Sequence, residues 1–274
     1  IGFSLFDSKE KYLFVYDGRD ENPNKQLVDQ INPYLVNASP IVLEARRASV
    51  TNALPIVFGN MANDGGFLFL NDNEKAEILT TYPNAEKFIK RFYGAEEFLN
   101  NINRWCLWLV EATAEEIRSI LPIYKRVEEV KKLRLASNRA ATNKLASTPY
   151  LFGEIRQTDS NYVLIPRHSS ESRDYIPIGF LSKDVIAGDA NCMLPNASLF
   201  DFAVLTSKMH MAWVRVVCGR IKSDFRYSNT IVYNNFVWVT NLNDDDKGLL
   251  NKTAQAILDA RDLYPNSSLA NLYD

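Results

Sequence analysis

Cys218-Gly219-Arg220-Ile221-Lys222-Ser223-Asp224-Phe225-Arg226-Tyr227-Ser228 sets a cation, an anion and a second cation at every other position: Lys222, Asp224 and Arg226. Read as one extended strand, the run sends all three to the same side of the backbone, because strand side chains alternate faces. A lysine and an aspartate side by side at a groove floor carry the groups needed for both halves of one base pair. Lysine donates to O6 and N7 of guanine, and aspartate accepts from the N4 amino group of the paired cytosine. The same pattern also describes a solvated strand with a surface ion pair, worth about 0–1 kcal/mol.

Residues 199–217, just upstream, form a long and mostly apolar stretch that predicts a helix, with Met209, Met211 and Trp213 as core. Downstream, 226–236 reads as strand and 247–264 as an amphipathic helix that follows an acidic linker, Asp244-Asp245-Asp246. A short strand is expected over 190–194. Together these predict an α+β fold: a mixed β-sheet with flanking helices and a helical C-terminal portion beginning near Thr240.

The rest of the chain continues in the same style. Tyr12-Leu13-Phe14-Val15-Tyr16 predicts a strand, and a polar, turn-rich stretch follows over 17–25. Short apolar runs at 41–43, 56–58 and 67–70 read as strands separated by Pro40, Pro55 and Gly65-Gly66. Residues 72–99 predict two short helices broken near Pro83, and 104–110 an aromatic strand. Thr113-Ala114-Glu115-Glu116 is a capping box that opens a helix. In 122–137, Ile123, Val127, Val130 and Leu133 recur at helical spacing with lysines on the other side. Further strands are expected over 151–156, 162–165 and 175–180, with a polar loop through His168 and Glu171.

At 274 residues the chain is long enough for one large or two ordinary domains. With 46% hydrophobic and 23% charged residues it has the composition of a globular protein, and no apolar run reaches the length of a membrane span. Cys106, Cys192 and Cys218 are odd in number and far apart, so they read as reduced thiols of a cytoplasmic protein, not as a disulfide frame or zinc knuckle. The chain opens on Ile1, which fits a piece of something longer. A net charge of −2 does not itself point to nucleic acid, but the distribution is uneven. Lys131, Lys132, Arg134, Arg139, Lys144 and Arg156 cluster with Glu154 as the only acid among them, and Lys208, Arg215, Arg220, Lys222 and Arg226 surround Asp224. Such runs describe either solvated helix faces or one phosphate-facing side of a molecule.

Catalytic patterns are sparse. His168 and His210 are the two histidines, and neither lies in a metal-ligand spacing. No P-loop, GxSxG elbow or GxGxxG is present. Asn32-Pro33-Tyr34 reads as a turn, and Glu154-Ile155-Arg156 as a strand with a surface ion pair.

Several segments, in order, carry a family resemblance. They are Phe58-Gly59-Asn60-Met61 with Asp64-Gly65-Gly66, Arg104-Trp105-Cys106-Leu107-Trp108-Leu109, Phe152-Gly153-Glu154-Ile155-Arg156-Gln157 and Tyr175-Ile176-Pro177-Ile178-Gly179-Phe180. They continue through Pro195-Asn196-Ala197, His210-Met211-Ala212-Trp213-Val214-Arg215, Ile231-Val232-Tyr233-Asn234-Asn235-Phe236 and Ile257-Leu258-Asp259-Ala260-Arg261. Over 31–274 the chain resembles the recognition half of MmeI-like (type IIL) restriction–modification enzymes. One departure is Phe236-Val237-Trp238-Val239, where the family commonly has Phe-Pro-Trp-Pro.

The resemblance implies a module for sequence-specific recognition of double-stranded DNA, part of a bifunctional adenine-N6 methyltransferase and endonuclease. By this likeness 1–30 is a remnant or linker from the methyltransferase domain, 31–239 the target-recognition domain and 240–274 the start of a C-terminal helical region. S-adenosylmethionine and Mg2+ would belong to upstream domains, with no cofactor in this chain. The expected partners are DNA and the upstream methyltransferase domain, with no membrane. Lys222 and Asp224 match a base-selecting pair, and Ala190 with Arg226 a second pair in which the small residue leaves room for the arginine. Lys131, Lys132, Arg134, Arg139 and Lys144 are then the expected phosphate contacts. Two other readings stand beside this one: a protein–protein docking module anchored by aromatic residues, and an independent catalytic domain using Glu154, Asp159 and Glu171.

Overall fold

The computed structural model describes residues 5–16 and 22–274. Positions 17–21 of the expected polar stretch and positions 1–4 of the expected linker lie outside the described residues. In chain order the elements begin with β1 (Lys11–Val15), β2 (Asn24–Val28), β3 (Val57–Phe58), β4 (Phe69–Leu70), α1 (Asp72–Thr81), β5 (Ile89–Tyr93), α2 (Ala95–Asn100) and β6 (Trp105–Leu107). Next come α3 (Ala114–Ser119), α4 (Leu121–Leu135), α5 (Ala140–Lys144), β7 (Tyr162–Pro166), β8 (His168–Ser169), β9 (Gly179–Leu181), β10 (Ile186–Ala187) and β11 (Asn191–Pro195). The chain ends with α6 (Leu199–Leu205), α7 (Lys208–Val217), β12 (Gly219–Ile221), β13 (Asp224–Arg226), α8 (Asp244–Asp262) and α9 (Leu269–Tyr273). This is the expected α+β class.

Two four-stranded sheets form the body, ordered β10-β5-β6-β4 and β3-β11-β7-β9. The alternation of side chains along β7 and β11 decides where the cores lie. Val163 and Ile165 of β7, with Cys192 and Leu194 of β11, face a large core shared with α6, α7 and α8. Their neighbours Tyr162, Leu164 and Met193 face a smaller core that also takes in Phe98 and Ala187. Covered on both faces, β7 reads as the unbroken apolar run Tyr-Val-Leu-Ile-Pro. A third core lies between the other sheet and α1, α3 and α4.

The sheets meet where β3 passes the β10–β11 turn. Asn60 N–H bonds Ala187 O at 2.7 Å, and Gly59 N–H bonds Asn191 O at 3.0 Å. A Cβ on Gly59 would stand 2.1 Å from Gly188 O, so only glycine permits the approach. Asn60 seals the joint, donating to Gln157 and Ala187 O and accepting from Arg156 N–H.

Several elements depart from the sequence expectation. Residues 41–43 join no strand, and Ile41 and Val42 are exposed. The stretch after Pro83 is a 3-10 turn followed by β5, which pairs with β6 and β10, so the second of the two expected helices begins only at Ala95, as α2. Residues 151–156 supply one bridge, Met61↔Glu154, and the strand expected over 175–180 is confined to β9. The long helix expected over 199–217 breaks at Thr206. Thr206 Oγ1 bonds back to Phe202 O, and Ser207 then caps α7 by accepting from His210 N–H. Met209 is 70% exposed, whereas Met211 is core. After β13 the chain turns into a π-helical stretch, Asn229–Tyr233, in place of more strand. Asp244, Asp245 and Asp246 are the first turn of α8, not a linker, where carboxylates suit the positive end of the helix dipole.

Other local expectations hold. The Thr113–Glu116 box forms with both bonds, and Asn32 Oδ1 closes its turn by accepting from Tyr34 and Val36 N–H. Phe236 and Trp238 are buried while Val237 and Val239 point outward, so the departure from the proline pattern leaves the aromatic anchors in place. Along α8, Ala254 lies in the large core with Leu250, Ile257 and Leu258 packed against it. No helix among the described residues is long and apolar enough to cross a membrane.

His210 sits wholly inside the large core. Its Nδ1 lies 2.9 Å from Leu205 O, which can only accept, so Nδ1 carries the proton and Nε2 accepts from the Tyr227 hydroxyl at 3.1 Å. Burial pushes this imidazole down to about 4. An unfolded chain would protonate it near 6.5, so its neutral form contributes fully above that pH, and the contribution is lost as pH falls toward 4. The loss is on the order of 3 kcal/mol. Urea unfolding of wild type and His210→Gln between pH 7 and 4 should show the steeper fall for wild type; parallel curves would refute the assignment.

Candidate nucleic-acid interface

The charged run is a hairpin. β12 and β13 pair antiparallel, Gly219↔Arg226, Arg220↔Phe225 and Ile221↔Asp224, with Lys222 and Ser223 as the turn. The sequence expectation of one extended strand is therefore corrected: Asp224 and Arg226 share the outer face of β13, and Lys222 occupies the tip. Turn geometry imposes this, because Lys222 adopts φ +56°, a conformation that glycine or asparagine usually takes. A lysine held there costs on the order of 1–3 kcal/mol, and the conformation persists only where its surroundings fix it.

Arg220 supplies that fixing. Its guanidinium donates to Ser223 O at 2.7 Å and Arg215 O at 3.3 Å, and lies 4.0 Å from the centre of the Phe225 ring. It also faces Glu171 at 3.8 Å. Phe225, only 2% exposed, plugs the hairpin into the large core. Glu171 N–H bonds Asp224 Oδ1 at 3.2 Å, which orients the carboxylate yet leaves its other oxygen available. Lys222 is exposed, and its ammonium has no partner among the described residues. A cation and an anion thus stand outward, two residues apart, on a braced support.

β13 pairs on its other side with β8, Phe225↔Ser169 and Arg226↔His168. The ladder continues past β8: Tyr227 N–H bonds Arg167 O at 2.7 Å, and Arg167 N–H bonds Ala190 O at 3.0 Å. Ala190 and Arg226 accordingly lie one strand apart, on either side of the Arg167-His168 segment. Sequence reasoning assigned His168 and Glu171 to a polar loop and missed both neighbours of Arg226 and Asp224, because β8 is only two residues long and carries no periodicity.

The basic segment is elsewhere, on α4, α5 and their connection, over the other sheet. Lys131, Lys132, Arg139 and Lys144 are exposed there, and Lys132 pairs with Glu129 at 2.7 Å. Arg134 is a correction. It is completely buried and donates to five backbone carbonyls, those of Ala62, Asn63, Leu145, Thr148 and Leu151, at 2.8–3.0 Å. With every donor engaged it cannot meet a phosphate; it clamps the end of α4 to two loops. Arg156 is likewise engaged locally, by Glu154 and by Gly59 O.

An α+β body that presents a braced, charged hairpin has the means to read a polar partner. The match to known proteins agrees: residues 37–240 fit the family model described as MmeI, target recognition domain, and the chain belongs to that family. It is 37% identical to DNA methyltransferase A of Bacillus subtilis (strain 168), a match that spans all of this chain and 30% of that protein. It also resembles the solved structure of the type IIL restriction–modification enzyme MmeI in complex with DNA, with a TM-score of 0.94 and 40% identity. That match covers 98% of this chain and 36% of the other. The chain spans about a third of the length of these relatives.

Proposed function

We propose that this chain is the sequence-specific duplex-DNA recognition module of a bifunctional restriction–modification protein, directing adenine-N6 methylation and cleavage to a target site. The observation that carries the proposal is the outward Lys222 and Asp224 pair on a hairpin that Phe225 anchors and Arg220 braces, in a member of this family. Lys222 donates to a guanine and Asp224 accepts from its paired cytosine, while Arg226, one strand away from Ala190, reads a neighbouring base. Lys131, Arg139 and Lys144 neutralise phosphates and set register without reading sequence; Lys132 contributes less, because Glu129 already neutralises it.

In this scheme 31–239 is the recognition domain and 240–274 begins a helical region that shares its core. Residues 1–30 lead from the methyltransferase domain. The β1–β2 ribbon supports that partner: it leaves Phe14, Val15, Tyr16 and Leu27 exposed, and an isolated two-stranded ribbon is marginal without a surface to pack on. S-adenosylmethionine and Mg2+ would be bound by other domains of the parent, in the cytoplasm. Among the described residues no cluster of His, Cys, Asp and Glu is placed to hold a metal. The docking alternative loses its larger anchors, since Trp238, Tyr227, Tyr233, Phe225 and Phe236 build the core, and of the exposed aromatics Phe14 and Tyr16 lie on the ribbon assigned to the methyltransferase partner, with Tyr264 just beyond α8.

The test is binding of the parent protein to duplex DNA across a salt series. Wild type should prefer one sequence, and Lys131→Ala should weaken binding to all duplexes alike and reduce the log–log salt slope by roughly one. Absence of duplex binding at low salt would refute the function, and an unchanged slope the phosphate role.

A further inference from the structure

We infer that His168 is a further specificity-determining residue, hydrogen-bonding in the groove at the base pair that Arg226 reads. The inference rests on the proposed DNA-reading function and goes beyond it. Register supplies the geometry. Directly opposed residues of an antiparallel ladder project to the same face, with Cβ atoms about 4.5–5.5 Å apart. His168 is paired with Arg226, and both are exposed, whereas the next pair, Phe225 with Ser169, is buried. One row of the outer face therefore runs Gly219, Arg226, His168.

Gly219 leaves the far side of Arg226 open, since an added Cβ there would meet nothing within 4 Å. The arginine has free space on one side and an imidazole on the other. The adjacent row is Ile221, Asp224 and, by continuation of the register, Ser170. Ile221 is apolar, and the Ser170 hydroxyl is within 2.8 Å of Ser172 Oγ. His168 Nδ1 and Nε2 have no hydrogen-bond partner among the described residues. Beside the charges already assigned, the imidazole is thus the group on this face best placed to meet a base edge.

Its chemistry fits the position. Burial, together with the cations Arg167 and Arg226, holds the imidazole below its ordinary range, against the opposing pull of Asp224. At neutral pH it offers one donor and one acceptor and does not add a second positive charge to the row. A positively charged residue there would strengthen binding to every sequence; a neutral imidazole discriminates.

The experiment is selection from a randomised duplex pool by the parent protein, followed by sequencing, for wild type, Arg226→Ala, His168→Ala and His168→Gln. Arg226→Ala identifies the base position concerned. The expected result is that His168→Ala loses about fivefold of the preference at that same position, the size of one hydrogen bond, and leaves the other positions unchanged. His168→Gln, which keeps a donor and an acceptor, should recover part of it. Retention of the wild-type profile by His168→Ala, while Arg226→Ala changes its position, would overturn the inference and leave the DNA-reading function intact. A uniform loss at all positions, or unfolding of both His168 variants in a thermal melt, would also overturn it by assigning His168 to the scaffold. If wild type selects no sequence, the function and the inference fall together.

Discussion

Arg134→Met is expected to destabilise the protein by about 4 kcal/mol, enough to leave a marginally stable domain substantially unfolded. Methionine is similar in length but has no N–H, so the loss is chiefly of donors and not of volume. Five backbone carbonyls accept from the guanidinium. Three of them keep a second partner: Ala62 O from Gly153 N–H, Leu145 O from Thr148 N–H and Thr148 O from Leu151 N–H. Asn63 O and Leu151 O lose their donor at partly buried positions, so each loss lies toward the lower end of the about 1–3 kcal/mol that an unsatisfied buried acceptor costs. Further cost comes from the remaining weakened bonds and from loops that no longer converge on α4. Arg134→Lys should recover little, because one ammonium cannot fan out to five carbonyls. Urea unfolding followed by circular dichroism measures this. A variant within about 1 kcal/mol of wild type would contradict the clamp.

The same residue illustrates what the sequence carried. Ile123, Val127, Val130 and Arg134 follow one another at spacings of four, three and four, so helical periodicity sets Arg134 on the core side of α4. Residue type overrode that signal: an arginine in a basic run reads as solvated, and Leu133, which is 38% exposed, was expected to be core in its place. The body of the fold was legible wherever apolar runs were long and doubly covered, as in β7, or capped, as in α3. It was illegible where pairing partners decide the matter. β5 lies in a charged neighbourhood and becomes a strand because β6 and β10 flank it. Within residues 199–217 the break depends on Thr206 and Ser207 bonding to nearby backbone groups, and local polar groups of that kind are easily overlooked inside an apolar stretch.

The candidate site was partly legible for the same reasons. The charges of Lys222, Asp224 and Arg226 were visible as an alternating pattern, but the turn that separates the first from the other two was not. Lys222-Ser223 lacks the glycine or asparagine that marks a two-residue hairpin loop. The bracing by Arg220, and the backbone bond from Glu171 to Asp224, exist only once β8 is laid beside β13.

The double exchange Lys222→Glu with Asp224→Arg bears most directly on the central claim, that the hairpin reads one guanine–cytosine pair through a donor at its tip and an acceptor on its strand. Exchanging donor and acceptor reverses the complement each presents to the groove. Discrimination by a good base contact is about 1–3 kcal/mol. Replacing a preference for guanine by one for cytosine should therefore change the ratio between the two by roughly thirtyfold or more. The bond from Glu171 N–H to Asp224 would be lost, which lowers affinity for every duplex without altering choice. The measurement is the base profile of the sites that the full-length parent methylates, obtained by sequencing modified adenines. The account predicts that one position turns from guanine to cytosine on the read strand while all other positions keep their base. A uniform fall in methylation with the guanine preference intact would contradict it.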